Sequence, residues 1–130
     1  MIDLLKLLKV CNHNIQVLHR NLIGEGWFAD HSQLGEYYDK VQEIFDDLCE
    51  IANGLGIKEP TMEESFKGEI EIKDRYCKES YTLVRKMFEE IIVEINRIKD
   101  VPTDVINKLQ EYQYYFRKET DFKLSRAVKD

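Results

Sequence analysis

The chain has 130 residues, of which 43% are hydrophobic and 34% charged, with two prolines. That suits one folded domain over residues 1–130 and excludes a disordered segment. Its net charge of −6 argues against nucleic-acid binding by the body of the domain, since phosphate affinity rests on excess Lys and Arg, and makes cations the better partners.

The first predicted helix covers residues 2–23, where Leu4, Leu5, Leu8, Cys11, Ile15, Leu18 and Leu22 recur at spacings of one, three and four and the stripe ends at Gly24. Gly24-Glu25-Gly26 reverses the chain, and Trp27-Phe28 reads as a plug burying the turn. Asp30 is the expected cap of a second helix running to about Ala52, with Asn53-Gly54-Leu55-Gly56 as its stop signal. Its apolar face is Leu34, Tyr37, Tyr38, Val41, Ile44, Phe45, Leu48 and Ile51. Thr61 and Glu64 form a capping box, predicting a short helix near Pro60 to Ser65 inside a long connection. A third helix follows from about Asp74 to Lys99, on Val84, Met87, Phe88, Ile91, Ile92, Ile95 and Ile98. After Asp100-Val101-Pro102, a fourth starts near Thr103 and carries Val105, Ile106, Leu109, Tyr112, Phe116, Phe122 and Leu124, with an irregularity at Glu119-Thr120-Asp121. The run Tyr112, Tyr114, Tyr115 and Phe116 reads as packing and interface.

The expected fold is therefore all-α: a four-helix bundle whose single long connection, between the second and third helices, is the wiring of ferritin-like bundles. No stretch approaches the ~20 apolar residues of a membrane span. Met1-Ile2-Asp3-Leu4-Leu5-Lys6 carries an acid and a lysine inside its apolar run, which argues against a signal peptide. Cys11, Cys49 and Cys77 are odd in number and widely spaced, so no disulfide framework or Cys-x-x-Cys motif is present. A soluble, cytoplasmic protein is expected.

The chemistry-bearing residues gather between His19 and Glu50. At about 100° per residue, with His31 as zero, Asp39, Asp46 and Glu50 fall near 80°, 60° and 100°, one stripe beside the apolar face. Imidazole and carboxylate on helix faces suit iron or zinc. None of His13, His19 and His31 has a glutamate three residues before it, which disfavours the Glu-x-x-His di-iron class. His-Glu-x-x-His is absent, and three histidines are too few for a hemerythrin-like site.

His19, Asn21, Gly24, Trp27 and His31, followed by Asp46 and Glu50 at twenty-seven and thirty-one residues after the first histidine, resemble the signature of the mini-ferritins called Dps. Leu55-Gly56 with Pro60, and Lys123-Leu124-Ser125-Arg126-Ala127, look like that family's post-helix turn and ending. The resemblance implies an iron-oxidising site between two subunits, with histidines from one copy and Asp and Glu from its twofold mate. It also implies a homo-oligomer, at least a dimer and in the full form a dodecameric cage that stores ferric mineral and protects against peroxide. The hairpin around Trp27 and the second helix are the expected interface. Where the family usually carries a further carboxylate, four residues after the second histidine, this chain has Gly35; Glu36 and Asp39 are the candidates to substitute. The chain starts its first helix almost at Met1 without a Lys-rich arm, and Arg126-Ala127-Val128-Lys129-Asp130 is short, so DNA binding by a basic tail is not expected.

Other readings fit the same residues. His19 and His31 can be structural histidines hydrogen-bonded at a hairpin, and Asp39, Glu43 and Asp47 the solvated side of an amphipathic helix. The three functions that follow are a ferroxidase-type iron protein, a ferritin-like bundle without chemistry acting as a structural or interaction protein, and a two-histidine zinc site that staples a dimer.

Overall fold

In the computed structural model, which describes residues 1–128, the apolar stripes become four long helices: α1 (Ile2–Arg20), α2 (Trp27–Gly54), α4 (Cys77–Arg97) and α5 (Thr103–Lys118). Helix accounts for 78% of the described residues. Lys129 and Asp130, the end of the short C-terminal segment, lie outside the described residues. The first helix ends at Arg20, so Leu22 lies beyond it, yet all seven apolar positions expected of that helix are buried, as are Leu34, Tyr37, Val41, Ile44, Phe45 and Leu48 on α2. From the other two long helices come Val84, Phe88, Ile91 and Ile95, and Val105, Leu109, Tyr112 and Phe116. These side chains form one continuous core. Phe88 is its hub, edge-on to Tyr37 at 5.3 Å and to Phe116 at 4.9 Å, an arrangement that aligns ring edges with ring faces.

The punctuation is local chemistry. At the end of α2, Gly56 adopts φ +81, Ile57 N–H donates to the Ala52 carbonyl at 2.8 Å and Gly56 N–H to the Asn53 carbonyl at 3.1 Å, the two bonds of a Schellman stop. Thr61 Oγ1 accepts from the Glu64 amide at 3.2 Å and starts α3 (Met62–Ser65), as the capping box predicts. The irregularity near Glu119 is a π-helical segment, Glu119–Leu124, before a final turn α6 (Ser125–Ala127). Phe122, expected in the core, is 63% exposed there. A π-turn holds more residues than an α-turn, so it advances the phase and turns Leu124 inward instead.

One element has no counterpart in the sequence reading. Leu22–Ile23 (β1) pairs in parallel with Arg75–Tyr76 (β2), in register Leu22 with Arg75 and Ile23 with Tyr76. Because β1 leads into α2 and β2 into α4, these two helices start side by side at one end of the molecule. Tyr81 Oη, in the first turns of α4, donates to Asp30 Oδ1 on α2 at 2.8 Å. The connection from α2 must therefore travel back the length of the helices, which explains its twenty-odd residues. It runs over α1: Lys9 Nζ meets Glu59 at 2.9 Å and the Pro60 carbonyl at 2.8 Å. The buried Asn14 amide donates to the Gly68 carbonyl at 3.0 Å and accepts from the Ile70 amide at 3.1 Å.

Candidate metal site at the first helical hairpin

The last turn of α1 and the first turns of α2 meet across a tight reversal. Asn21 closes α1, its amide and side chain both donating to the Val17 carbonyl at 3.2 and 2.8 Å. Gly24 then takes φ +101, and a Cβ there would stand 2.7 Å from the Tyr76 ring, so only glycine fits both the backbone and the neighbour. Helix α2 begins at Trp27, three residues before the expected cap. Asp30 is therefore inside the first turn and serves as acceptor for Tyr81 rather than as N-cap.

This reversal brings His19 and His31 together. Their ring centroids are 3.7 Å apart with planes inclined by 25°. Trp27 stacks on the other face of His31 at 4.3 Å and 17°, and Tyr38 meets His19 edge-on at 5.2 Å. His19 Nδ1 lies 2.8 Å from the His31 carbonyl oxygen. A carbonyl only accepts, so Nδ1 carries the proton and Nε2 is left with its lone pair. Burial, first of all, and the adjacent His31 ring lower the His19 pKa, while the bond to the carbonyl and the charge of Asp39 pull the other way. A neutral imidazole with its remote nitrogen free, steadied by a main-chain acceptor, is the form that ligates metals.

The carboxylates are placed differently. Asp46 and Glu50 are exposed on the later half of α2, and Asp46 Oδ1 accepts from Gln42 at 2.8 Å. His31 and Asp46 are fifteen residues apart on one helix, about 22 Å at ~1.5 Å per residue, too far to share an ion within a chain. Glu36 and Asp39 are exposed on the turns after His31. Among the described residues, no group of three or more His, Cys, Asp and Glu within the chain is arranged to hold a metal ion. His13 stands apart, its Nε2 3.2 Å from Glu69 Oε1 on the connection and its ring 5.3 Å from Phe66.

Trp27 and Phe28 are not the core plug expected of them. They are 39% and 84% exposed, and Ile23 and Tyr76 beside the same turn are exposed as well. The reversal leaves them at the surface, while Leu18, Leu22 and Leu34 are the buried apolar residues nearby in sequence. What sequence reading missed is that Trp27 stacks on a candidate ligand. The four-residue spacing from Trp27 to His31 was the available signal, since such pairs lie on one helix face.

The stack limits the chemistry. Two nearly parallel rings 3.7 Å apart cannot both hold one ion in their planes, so each would serve a separate ion or one would have to turn. Comparison with protein-family models, with curated proteins and with solved structures finds no match for this chain.

Proposed function

We propose that the chain is a Dps-like, ferritin-type protein that binds and oxidises ferrous iron at a site shared by two copies, with His19 and His31 from one, His31 turning out of the stack for both to reach one ion, and Asp46 and Glu50 from the other. The observation carrying this reading is the tautomer and setting of His19: Nδ1–H is committed to the His31 carbonyl and Nε2 is free, beside a ring stack that supplies nitrogen but no oxygen. A nitrogen pair without carboxylates calls for ligands from elsewhere, and exposed carboxylates on α2 without nitrogen call for the converse. The exposed aromatic residues at the same turn give a second copy something to cover. Four long helices wired by one full-length crossover are consistent with the ferritin-like architecture.

Iron is the substrate in this reading, zinc a competing ion, and mineral storage in a dodecameric cytoplasmic cage with protection from peroxide the physiological outcome. With a net charge of −6, duplex DNA is not a partner in this reading. The test is the growth of ferric absorbance after addition of ferrous iron and peroxide, together with solution mass. Catalysed growth by a dimer or larger particle, abolished by His31→Ala, is expected. A strict monomer would remove the site.

A second reading has a specific observation in its favour. The face-to-face stack with Trp27, and Gly35 where a further carboxylate would stand, also suit a bundle that keeps the dimer without the chemistry. Protein purified without added metal would then carry none and would not accelerate oxidation. Stoichiometric zinc without oxidation would instead mark a structural staple.

A further inference from the structure

Gly35 lies one turn after His31, against the His19 ring. A Cβ at this position would stand 3.2 Å from His19 Cε1 and 3.6 Å from Nδ1, so any side chain here presses on the imidazole and shifts it by a few tenths of an ångström. The acceptor of its Nδ1–H is the carbonyl of His31, the residue four before Gly35, whose oxygen in an α-helix also accepts from amide 35. Helical side chains lean toward the N-terminus and cover the turn before them. A side chain at position 35 would thus crowd the ring where it donates to that oxygen.

We propose that Gly35 is a positioning residue for His19: its missing side chain seats the ring on His31, fixes the Nδ1–H tautomer and presents Nε2 to a divalent cation. The cation half of this statement rests on the metal-site reading above; the seating of the ring does not. Gly35 is then a working part of this site rather than a lost ligand. Gly35→Asp would supply an oxygen while displacing the nitrogen, so it weakens the site instead of completing it.

The test is imidazole ¹⁵N NMR at about pH 8, where the His19 ring, its pKa lowered by burial, is neutral, with cobalt(II) titration of the same samples of wild type, Gly35→Ala and His31→Ala. Alanine is the better helix former, so Gly35→Ala keeps its fold, which far-ultraviolet circular dichroism checks. In the wild type His19 shows one Nδ1–H tautomer. His31→Ala retains it, because the acceptor is main chain. Gly35→Ala loses it, with the ring-current shifts of the stack, and binds cobalt about tenfold or more weakly, as loss of a ligand-orienting bond does. An unchanged His19 tautomer and stack in Gly35→Ala would overturn the proposal. A wild type that holds the tautomer lost in Gly35→Ala but takes no cobalt would uphold the seating and overturn the metal reading.

Discussion

His31 is held between two rings, Trp27 at 4.3 Å on one face and His19 at 3.7 Å on the other, and Trp27 is the only tryptophan of the chain. Its fluorescence is therefore a reporter of the candidate site. Cobalt(II) should quench it in the wild type with a saturable dependence on concentration and leave it unaffected in His31→Ala. Equal quenching in both proteins would mean that the ion binds away from the stack.

Asn14 ties the long connection to α1 through the Gly68 carbonyl and the Ile70 amide. Asn14→Ala leaves both main-chain groups without their partner, and should cost about 1–3 kcal/mol. Lys9→Ala breaks the partly exposed contacts to Glu59 and to the Pro60 carbonyl and should cost about 1 kcal/mol. Urea unfolding of the two variants checks the order. A larger loss for Lys9 would contradict the view that the buried amide is the main fastening.

Phe88 is fully buried at the centre of the aromatic cluster, whereas Phe122 projects from the π-helical segment at 63% exposure. Phe88→Ala should destabilise by about 3–5 kcal/mol, and Phe122→Ala should stay within about 0.5 kcal/mol. Thermal unfolding of the pair measures this. The reverse order would place the phase of the last helix as the sequence alone suggests.

Burial raises the phenol pKa values of Tyr37, Tyr81, Tyr112 and Tyr115 above the ordinary tyrosine range. The carboxylate of Glu119 adds to this at Tyr37 and Tyr115, that of Asp30 at Tyr81 and that of Asp47 at Tyr112. A pKa raised in the folded state gives stability that is fully present below the unfolded value near 10 and is lost as pH rises from there through the folded pKa. Tyrosinate absorbance should thus leave these four phenols silent until the helical signal collapses in alkali. Reversible ionisation of all seven tyrosines with the helices intact would contradict the packing.

Much of this fold is legible in the sequence, because its determinants are local. Apolar spacing marks α1, α2, α4 and α5, and glycine and the Thr61–Glu64 pair mark where helices stop and start. The break at Glu119-Thr120-Asp121 announces an irregularity, yet neither its π-helical form nor its consequence for Phe122, which depends on how many residues that turn takes up. The pairing of Leu22 with Arg75 is illegible: it joins two dipeptides with no strand pattern, brought together only after the helices have packed. At the site, the spacing of His19 and His31 across Gly24 and Gly26 foretells that they meet. It does not foretell that they stack, that Trp27 completes the column, or that Gly35 makes room for a ring. Those depend on rotamers and on which way the reversal faces, and the exposure of Trp27 and Phe28 is illegible for the same reason.

The central claim, a metal site divided between copies, is tested most directly by complementation. One variant, His19→Ala with His31→Ala, lacks the nitrogens; another, Asp46→Ala with Glu50→Ala, lacks the oxygens. Each alone should bind no cobalt(II) at the site. Unfolded together and refolded, they should regain about a quarter of the wild-type stoichiometry, since random pairing makes half of the dimers mixed and each mixed twofold dimer restores one of two sites. Full binding by the Asp46→Ala, Glu50→Ala variant on its own, or no recovery in the mixture, would contradict the account.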